Sequence, residues 1–442
     1  MTKYCFCAAV VYLIFVIYGS LVPLDYQSIP WQQARDKFHN IPYLALGIES
    51  RADWIANIVL YMPLAFLWTM LLGNMRSVGL RVVWAIIVLS SCVALAVVIE
   101  FCQLYFPPRT VSINDLIAEA IGTVMGLLLA ATLGKHWVKL INNLALSALP
   151  SSQMLIVLYL SSYLAVSFFP FDFVTSFAEL DIKLAGSQDD IFMSLDICQH
   201  NAVRCVVKII VEILILMPVG ALFYNLPHVA HKLALAILVG FFLGIFSELI
   251  QLFLYSGIGQ GISILTRMLG MGLGVRAAQW LEQQDWLHWQ KRLKPMILML
   301  LLPYVLLVFV INGGMEGAWL SVDLAYAKLA ETRFMPFFYF YYTTETIALL
   351  SVISNLGLYI PIGCAYCLWY TPKAISWIWV GMGAVVLAIM VETEKLFLAN
   401  KHPDPTDLGI AFVAAATSYV LMNKALHWQQ QDTLSLTLKQ RF

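Results

Sequence analysis

Apolar runs of about twenty residues recur along this chain and limit its fold more than any other feature. At 1.5 Å per helical residue, such a run crosses the roughly 30 Å hydrocarbon core of a bilayer. Roughly twelve are legible, over 4–24, 54–73, 82–104, 113–134, 154–170, 205–224, 233–254, 262–281, 296–312, 346–370, 374–398 and 407–423. Charged residues make up only 12% of the 442, against about 25% in soluble domains, and 61% are hydrophobic. The expectation is an all-α polytopic membrane protein embedded in a lipid bilayer.

The ends and the cysteines add little chemistry. Lys3 and the apolar run from Tyr4 to Val22 resemble a signal peptide. The run is long for one, however, lacks a small-x-small cleavage site before Pro23, and is followed by further spans, so an uncleaved first span is expected. A net charge of zero provides no basic surface for nucleic acid. The eight cysteines form no metal-binding pattern, and no cofactor motif stands out. Cys364-x-x-Cys367 lies inside an apolar run and reads as core filler, while Cys198 and Cys205 can pair if their segment faces an oxidising compartment.

The apolar runs form a longer pattern. Asn57-IVLYM-Pro63 has counterparts in Glu212-ILILM-Pro218 and Asn355-LGLYI-Pro361. Glu100-FC-Gln103 recurs as Glu248-LI-Gln251 and Glu392-TE-Lys395, and Pro23-L-Asp25 is matched by Pro170-F-Asp172. The offset of roughly 145 residues greatly exceeds the 20–50 of a solenoid repeat. Three tandem four-helix units are expected, over 1–145, 146–294 and 295–442, with a long polar loop after each first helix at 25–53, 171–204 and 313–345. Lys3, Arg76, Arg81, Lys135, Lys139, Lys232, Lys291, Arg292, Lys294, Lys373 and Lys424 fall in short connections or termini on one side. By the positive-inside rule both termini are cytoplasmic, and the long loops and third-to-fourth helix corners face out.

Within 1–145, polar residues gather at three helical spacings. Asp53 and Asn57 are i,i+4 at the outer start of the second helix, and Glu100 and Gln103 are i,i+3 near the outer end of the third. Asp115 and Glu119 are i,i+4 at the start of the fourth. Arg109 sits between the last two, on a Pro107-Pro108 bend that cannot continue a helix. All seven fall at similar depth on the expected outer side and are candidates for a binding pocket. Glu100, Asp115 and Glu119 are also candidate catalytic acids or bases.

Helix capping accounts for some of this. Asp115, with Ser112 and Asn114, can cap the fourth helix and meet its dipole, and Arg109 can pair with Asp115 across the corner. Capping leaves Glu100 unexplained, because it lies near a helix C-terminus, and also Glu119, a full turn inside an apolar helix. The other copies are altered. The second has Ser263 and Arg267 where Asp115 and Glu119 would fall, which suggests a buried Glu248–Arg267 ion pair. The third keeps Glu392, places Lys401 and Asp407 where Arg109 and Asp115 were, and has Ala411 for Glu119. Glu392, Lys401 and Asp407 therefore form a secondary candidate site.

The segments SRADWIANIVLYMPLAFL (50–67) and VIEFCQLYFPPRTVSINDLIAEAIGTVMG (98–126) resemble the VanZ-like family of bacterial membrane proteins. The resemblance covers about residues 10–135 and implies functional places for Asp53, Asn57, Pro63, Glu100, Gln103, Arg109, Asp115 and Gly122. It departs at Glu119, where the family usually has asparagine. The family's namesake is linked to low-level teicoplanin resistance, and its relatives resemble envelope or exopolysaccharide accessory proteins. The resemblance therefore implies a multi-pass protein of the bacterial inner membrane.

Three functions fit these residues. The first is an envelope factor binding an anionic or glycosylated amphiphile, such as a lipid-linked glycan, with Arg109 on a phosphate or carboxylate and the acids on sugar hydroxyls. Aromatics at Trp31, Trp54 and 337–345 would then line the interface, as an ordinary aromatic belt also does. The second is a hydrolase or transferase on a lipid-linked substrate, using the three acids directly or through a divalent cation. His39, the one histidine of the first outer loop, reads as solvated. The third is a transporter, which intramembrane charges at Glu248, Arg267, Glu392 and Lys395 allow. Three parallel copies do not give the inverted repeat of many transporters.

Overall fold

The computed structural model describes residues 2–44, 47–72, 77–145, 151–186, 202–227, 229–284, 286–313, 318–369 and 376–439. Among these the chain is helical, with only two isolated β-bridges. Residues 1–145 contain α1 (Thr2–Leu21), α2 (Trp31–His39), α3 (Ile48–Met70), α4 (Val78–Gln103) and α5 (Ile113–Ala145). Residues 146–294 contain α6 (Ser152–Ser167), α7 (Phe177–Gly186), α8 (Ala202–Tyr224), α9 (Lys232–Leu252) and α10 (Ile262–Glu282), and lead into α11 (Trp286–Ile311). Then follow α12 (Val322–Glu331), α13 (Phe338–Tyr341), α14 (Glu345–Trp369), α15 (Ser376–Phe397) and α16 (Thr406–Lys439). Among the described residues, seven helices are long and apolar enough to cross a membrane: α3, α4, α5, α9, α11, α14 and α15, over most or all of their lengths. Cys5–Leu21 and Ser152–Ser167 are shorter apolar helices. The chain is a multi-pass membrane protein.

Three hydrophobic clusters form the core, and each draws on one stretch of sequence. The first gathers Val16, Tyr61, Leu64, Val88, Cys92 and Ile99; the second Leu216, Val219, Ala236 and Met271; the third Tyr359, Cys367, Ala388 and Tyr419. Cys364 and Cys367 are free thiols on α14, with Cys367 in that core. Cys205 is disulfide-bonded, whereas Cys198 lies outside the described residues.

In a bilayer, helices associate through close packing of small residues rather than through expulsion of water. The pair α3–α5 shows this, because a Cβ on Gly122 would collide with the Ile58 carbonyl and one on Gly126 with the Met62 carbonyl. The two backbones are thus in contact, which fixes the depth of α5's first turns against α3. The pairs α8–α10 and α14–α16 approach through Gly274 and Gly363 in the same manner.

Each long connection after a first helix contains a short helix (α2, α7 or α12) and hydrogen-bonds at or just past the end of the helix preceding the corner. Gln27 N–H donates to the Tyr105 carbonyl at 2.8 Å, Val174 N–H to that of Phe253 at 2.8 Å, and Leu320 N–H to that of Phe397 at 2.7 Å. One connection also ties the first two stretches together. Arg51 on α3 donates to both carboxylate oxygens of Glu179 at 3.0 and 2.8 Å, and also to the Phe173 carbonyl and the Thr175 hydroxyl.

The hydrogen bonds from Arg51 hold the Glu179 pKa down to about 2. A depressed folded-state pKa contributes stability above the unfolded carboxylate value of about 4.3, and that stability is lost as pH falls through the folded value. The melting-temperature difference between wild type and Arg51→Ala should therefore be full at neutral pH. It should shrink between about pH 4 and pH 2, leaving the Phe173 and Thr175 contacts. A difference independent of pH would assign the tie to those two contacts alone.

Candidate functional site

One cavity, of about 510 Å³, is lined by Asp53, Asn57, Glu100, Gln103, Arg109, Asp115 and Glu119. The three helical spacings and the corner thus converge on a single space. α4 brings Glu100 and Gln103 on its last turn, α3 turns Asp53 and Asn57 toward it, and α5 presents Asp115 and Glu119 one turn apart.

The cap of α5 is tightly organised. The Ser112 hydroxyl donates to Asp115 Oδ2 at 2.6 Å and accepts the Asp115 N–H at 3.2 Å, while Asn57 Nδ2 donates to Asp115 Oδ1 at 2.7 Å. Asn114 exchanges hydrogen bonds with the backbone of Leu44, and Trp54 Nε1 donates to the Asn114 carbonyl. Capping thus explains Asp115, with Ser112 as its partner. The expected Arg109–Asp115 pair does not form. Arg109 Nη2 instead donates to the Gly19 carbonyl at 2.6 Å, and the guanidinium lies 4.6 Å from the centre of the Tyr341 ring. That carbonyl sits near the end of α1, where helix carbonyls lack intrahelical donors and attract cations. Burial lowers the Arg109 pKa, opposed by Tyr341, Asp53 and Glu100.

Several buried atoms of this wall lack a hydrogen-bond partner: Glu100 Oε2, Gln103 Oε1, Glu119 Oε2 and Arg109 Nε. Glu100 is 2% exposed, Glu119 3% and Gln103 8%. Unsatisfied buried polar atoms are uncommon and call for an explanation, more so at membrane depth. Gln103 is half satisfied, donating to the Ser20 carbonyl at 2.8 Å. The Ser112 N–H approaches the Glu100 carboxylate, and the Tyr61 hydroxyl lies beside that of Glu119.

Eight further residues line the cavity, and two of them come from far along the chain. Tyr341 ends α13 and Glu345 opens α14, more than two hundred residues beyond the corner. The Tyr341 hydroxyl donates to the Pro108 carbonyl, Tyr18 donates to the Pro336 carbonyl at 2.6 Å, and Phe337 packs edge-on against Phe15. These contacts hold the aromatic run 337–345 against α1 and the first corner. The Glu345 carboxyl lies within hydrogen-bonding reach of Asp53. The run's composition signalled an interface, but nothing in it signalled contact with Arg109.

The corresponding corners elsewhere are filled by the chain's own charges. Arg267 Nη1 lies 2.6 Å from Glu248 Oε1, so the second corner contains the buried ion pair expected from the sequence. In the third, the ammonium that meets Glu392 and Asp407 belongs to Lys395, at 2.6 and 2.9 Å. Lys401 takes no part in that pair and instead packs its side chain against Gly313. His39 is exposed at the end of α2. Among the described residues, no group of three His, Cys, Asp or Glu side chains is placed to hold a metal ion.

Residues 6–134 match the model of the VanZ/LLP1 family. The first segment is VanZ-like. The matched range ends inside α5 and spans every sequence-predicted residue of the cavity. No curated protein and no solved structure gives a significant match to the chain.

Proposed function

We propose that this VanZ-like membrane protein binds the headgroup of a glycosylated amphiphile in the corner cavity, as an accessory factor of the bacterial envelope. The reading rests on one observation: a cavity whose walls carry unpartnered buried acceptors on Glu100, Gln103 and Glu119 beside one unpartnered donor on Arg109. Sugar hydroxyls donate and accept, and so fit such a wall. Five carboxyl groups face the space, from Asp53, Glu100, Asp115, Glu119 and Glu345, against a single guanidinium. That balance favours the glycosylated ligand over the anionic one, since like charges in a low-dielectric site repel.

The wider setting belongs to the same proposal. The protein is three tandem copies of one four-helix unit in the inner membrane, with both termini cytoplasmic and the cavity at the outer face. The distribution of Lys and Arg supports this orientation. So does the disulfide at Cys205, because disulfides persist in oxidising compartments and the first turns of α8 hydrogen-bond to the second corner, Lys208 to Gln260 and Glu212 with Ser263.

The test is the set of lipids that co-purify with the full-length protein. Mass spectrometry should find a glycolipid retained by wild type and depleted about tenfold or more in Arg109→Ala and in Glu100→Gln, as expected from losing a hydrogen bond to a charged group. Both variants should keep wild-type melting behaviour to within a few degrees. An unchanged lipid complement in folded variants would remove the cavity as a binding site.

A further inference from the structure

The chain meets the same buried glutamate in three ways. Glu100, Glu248 and Glu392 each lie near the end of the helix before a corner, and a backbone N–H twelve residues on approaches each carboxylate, from Ser112, Gln260 and Asp404. At the second corner Glu248 receives Arg267. At the third, Lys395 Nζ bridges Glu392 Oε1 and Asp407 Oδ2, while Asn355 Nδ2 holds Asp407 Oδ1 at 2.7 Å. The first corner has the same frame, with Asn57 Nδ2 holding Asp115 Oδ1 at the same 2.7 Å.

Among the described residues, no cation is inserted at the first corner. Gln103 stands where Lys395 does, and Glu119 stands where Arg267 does. Glu100 and Gln103 line the cavity, and the buried Glu100 Oε2 and Gln103 Oε1 have no hydrogen-bond partners. Arg109, the basic side chain on this wall, is directed at the Gly19 carbonyl and the Tyr341 ring. It makes no ion pair within 4.0 Å of a carboxylate among the described residues.

From this comparison we infer that the ligand carries a protonated amine, seated between Glu100 and Asp115 where the Lys395 ammonium stands at the third corner. The inference rests on the headgroup pocket proposed above and narrows its occupant to an amine-bearing headgroup, such as an amino sugar. An ammonium offers three donors and no acceptor, which matches Glu100 Oε2, Gln103 Oε1 and a free lone pair on Asp115. The side chains at the third corner show that this frame accepts an ammonium at hydrogen-bonding distance from both acids. Asp53 and Glu345 are further acids lining the cavity, where carboxylate charge favours entry of a cation.

The experiment measures binding to the purified full-length protein in nanodiscs, by calorimetry. The probes are an alkyl glucosaminide, its N-acetylated counterpart and free D-glucosamine. The free-amine amphiphile should bind about tenfold or more tighter than the N-acetylated one, the difference expected for a hydrogen-bonded charge. Equal binding of the two overturns the amine inference and leaves the glycolipid pocket standing. Failure of both amphiphiles to bind overturns the pocket as well. D-glucosamine binding as tightly as its alkyl form supports the amine seat but assigns it a soluble ligand. A second measurement uses Gln103→Lys, which supplies the missing ammonium internally. This variant should melt higher than wild type and lose the alkyl glucosaminide, whereas Gln103→Met should do neither to the same extent. A Gln103→Lys protein that is folded and binds the probe unchanged also overturns the inference.

Discussion

Arg267→Met is expected to destabilise the protein by about 3–5 kcal/mol, the range for removing one partner of a buried ion pair. The Arg267 and Glu248 side chains are 6% and 1% exposed, with 2.6 Å between nitrogen and oxygen. Arg267 Nε also donates to the Tyr163 hydroxyl at 2.8 Å, so the substitution strands two partners. Glu248 would keep only the Gln260 N–H, at a depth where water cannot solvate it. The double variant Glu248→Leu/Arg267→Met removes both charges and should recover most of the loss, because an apolar pair of similar volume does about as well as a buried ion pair. Unfolding titrations of wild type, both single variants and the double variant form the cycle that checks this. Additive effects would mean that the two charges are not coupled.

Gly122→Leu should act through the backbone. Its first side-chain carbon would meet the Ile58 carbonyl oxygen, an atom that cannot swing aside as a flexible side chain can. α3 and α5 must separate, which breaks the contact of their small residues and pulls Asn57 away from Asp115. Overpacking typically costs about 1–3 kcal/mol, and a backbone obstacle places this case at or above the upper end. Melting temperature should fall, and binding in the corner cavity should be lost with it. Gly383→Ala is the control: no atom lies within 4 Å of the added carbon, and alanine is the better helix former. It should melt at or above the wild-type temperature.

Much of the architecture was legible before any coordinates. Apolar runs marked where the long helices lie, because a segment that must satisfy its backbone in lipid has little choice but to be helical. Of the roughly twelve expected spans, seven are long and apolar enough to cross a membrane among the described residues. The largest departures are the two longest helices. α5 continues to Ala145 and α16 to Lys439, both past the ends of their apolar runs, since a helix can continue into water without a hydrophobic signal. Local spacing put six of the cavity residues in pairs on shared helix faces, with Arg109 on the bend between two of the pairs, and all seven line one cavity. Residues three or four apart on one helix share a face, and the recurring motifs fixed which faces meet.

Pairing was harder to read. Arg109 and Asp115 are six residues apart across a bend, and complementary charge suggested an ion pair. The fold instead gives Asp115 the nearer hydroxyl of Ser112 and the amide of Asn57, and directs Arg109 at a helix-terminal carbonyl. At the third corner the same kind of alignment put Lys401 in the place of Arg109, whereas the cation that reaches the acids is Lys395, one turn from Glu392 on the same helix.

By itself, then, the sequence determined a helical membrane protein, a VanZ-like first segment and the residues of its polar corner. Those properties are set by hydropathy and by spacing within single helices, which are local. Tertiary structure alone decided that the corner encloses a cavity, that Tyr341 and Glu345 help line it from the far end of the chain, and that no basic side chain among the described residues pairs with its acids. Each of these depends on how distant helices pack, and contacts across hundreds of residues leave no periodic trace in one sequence.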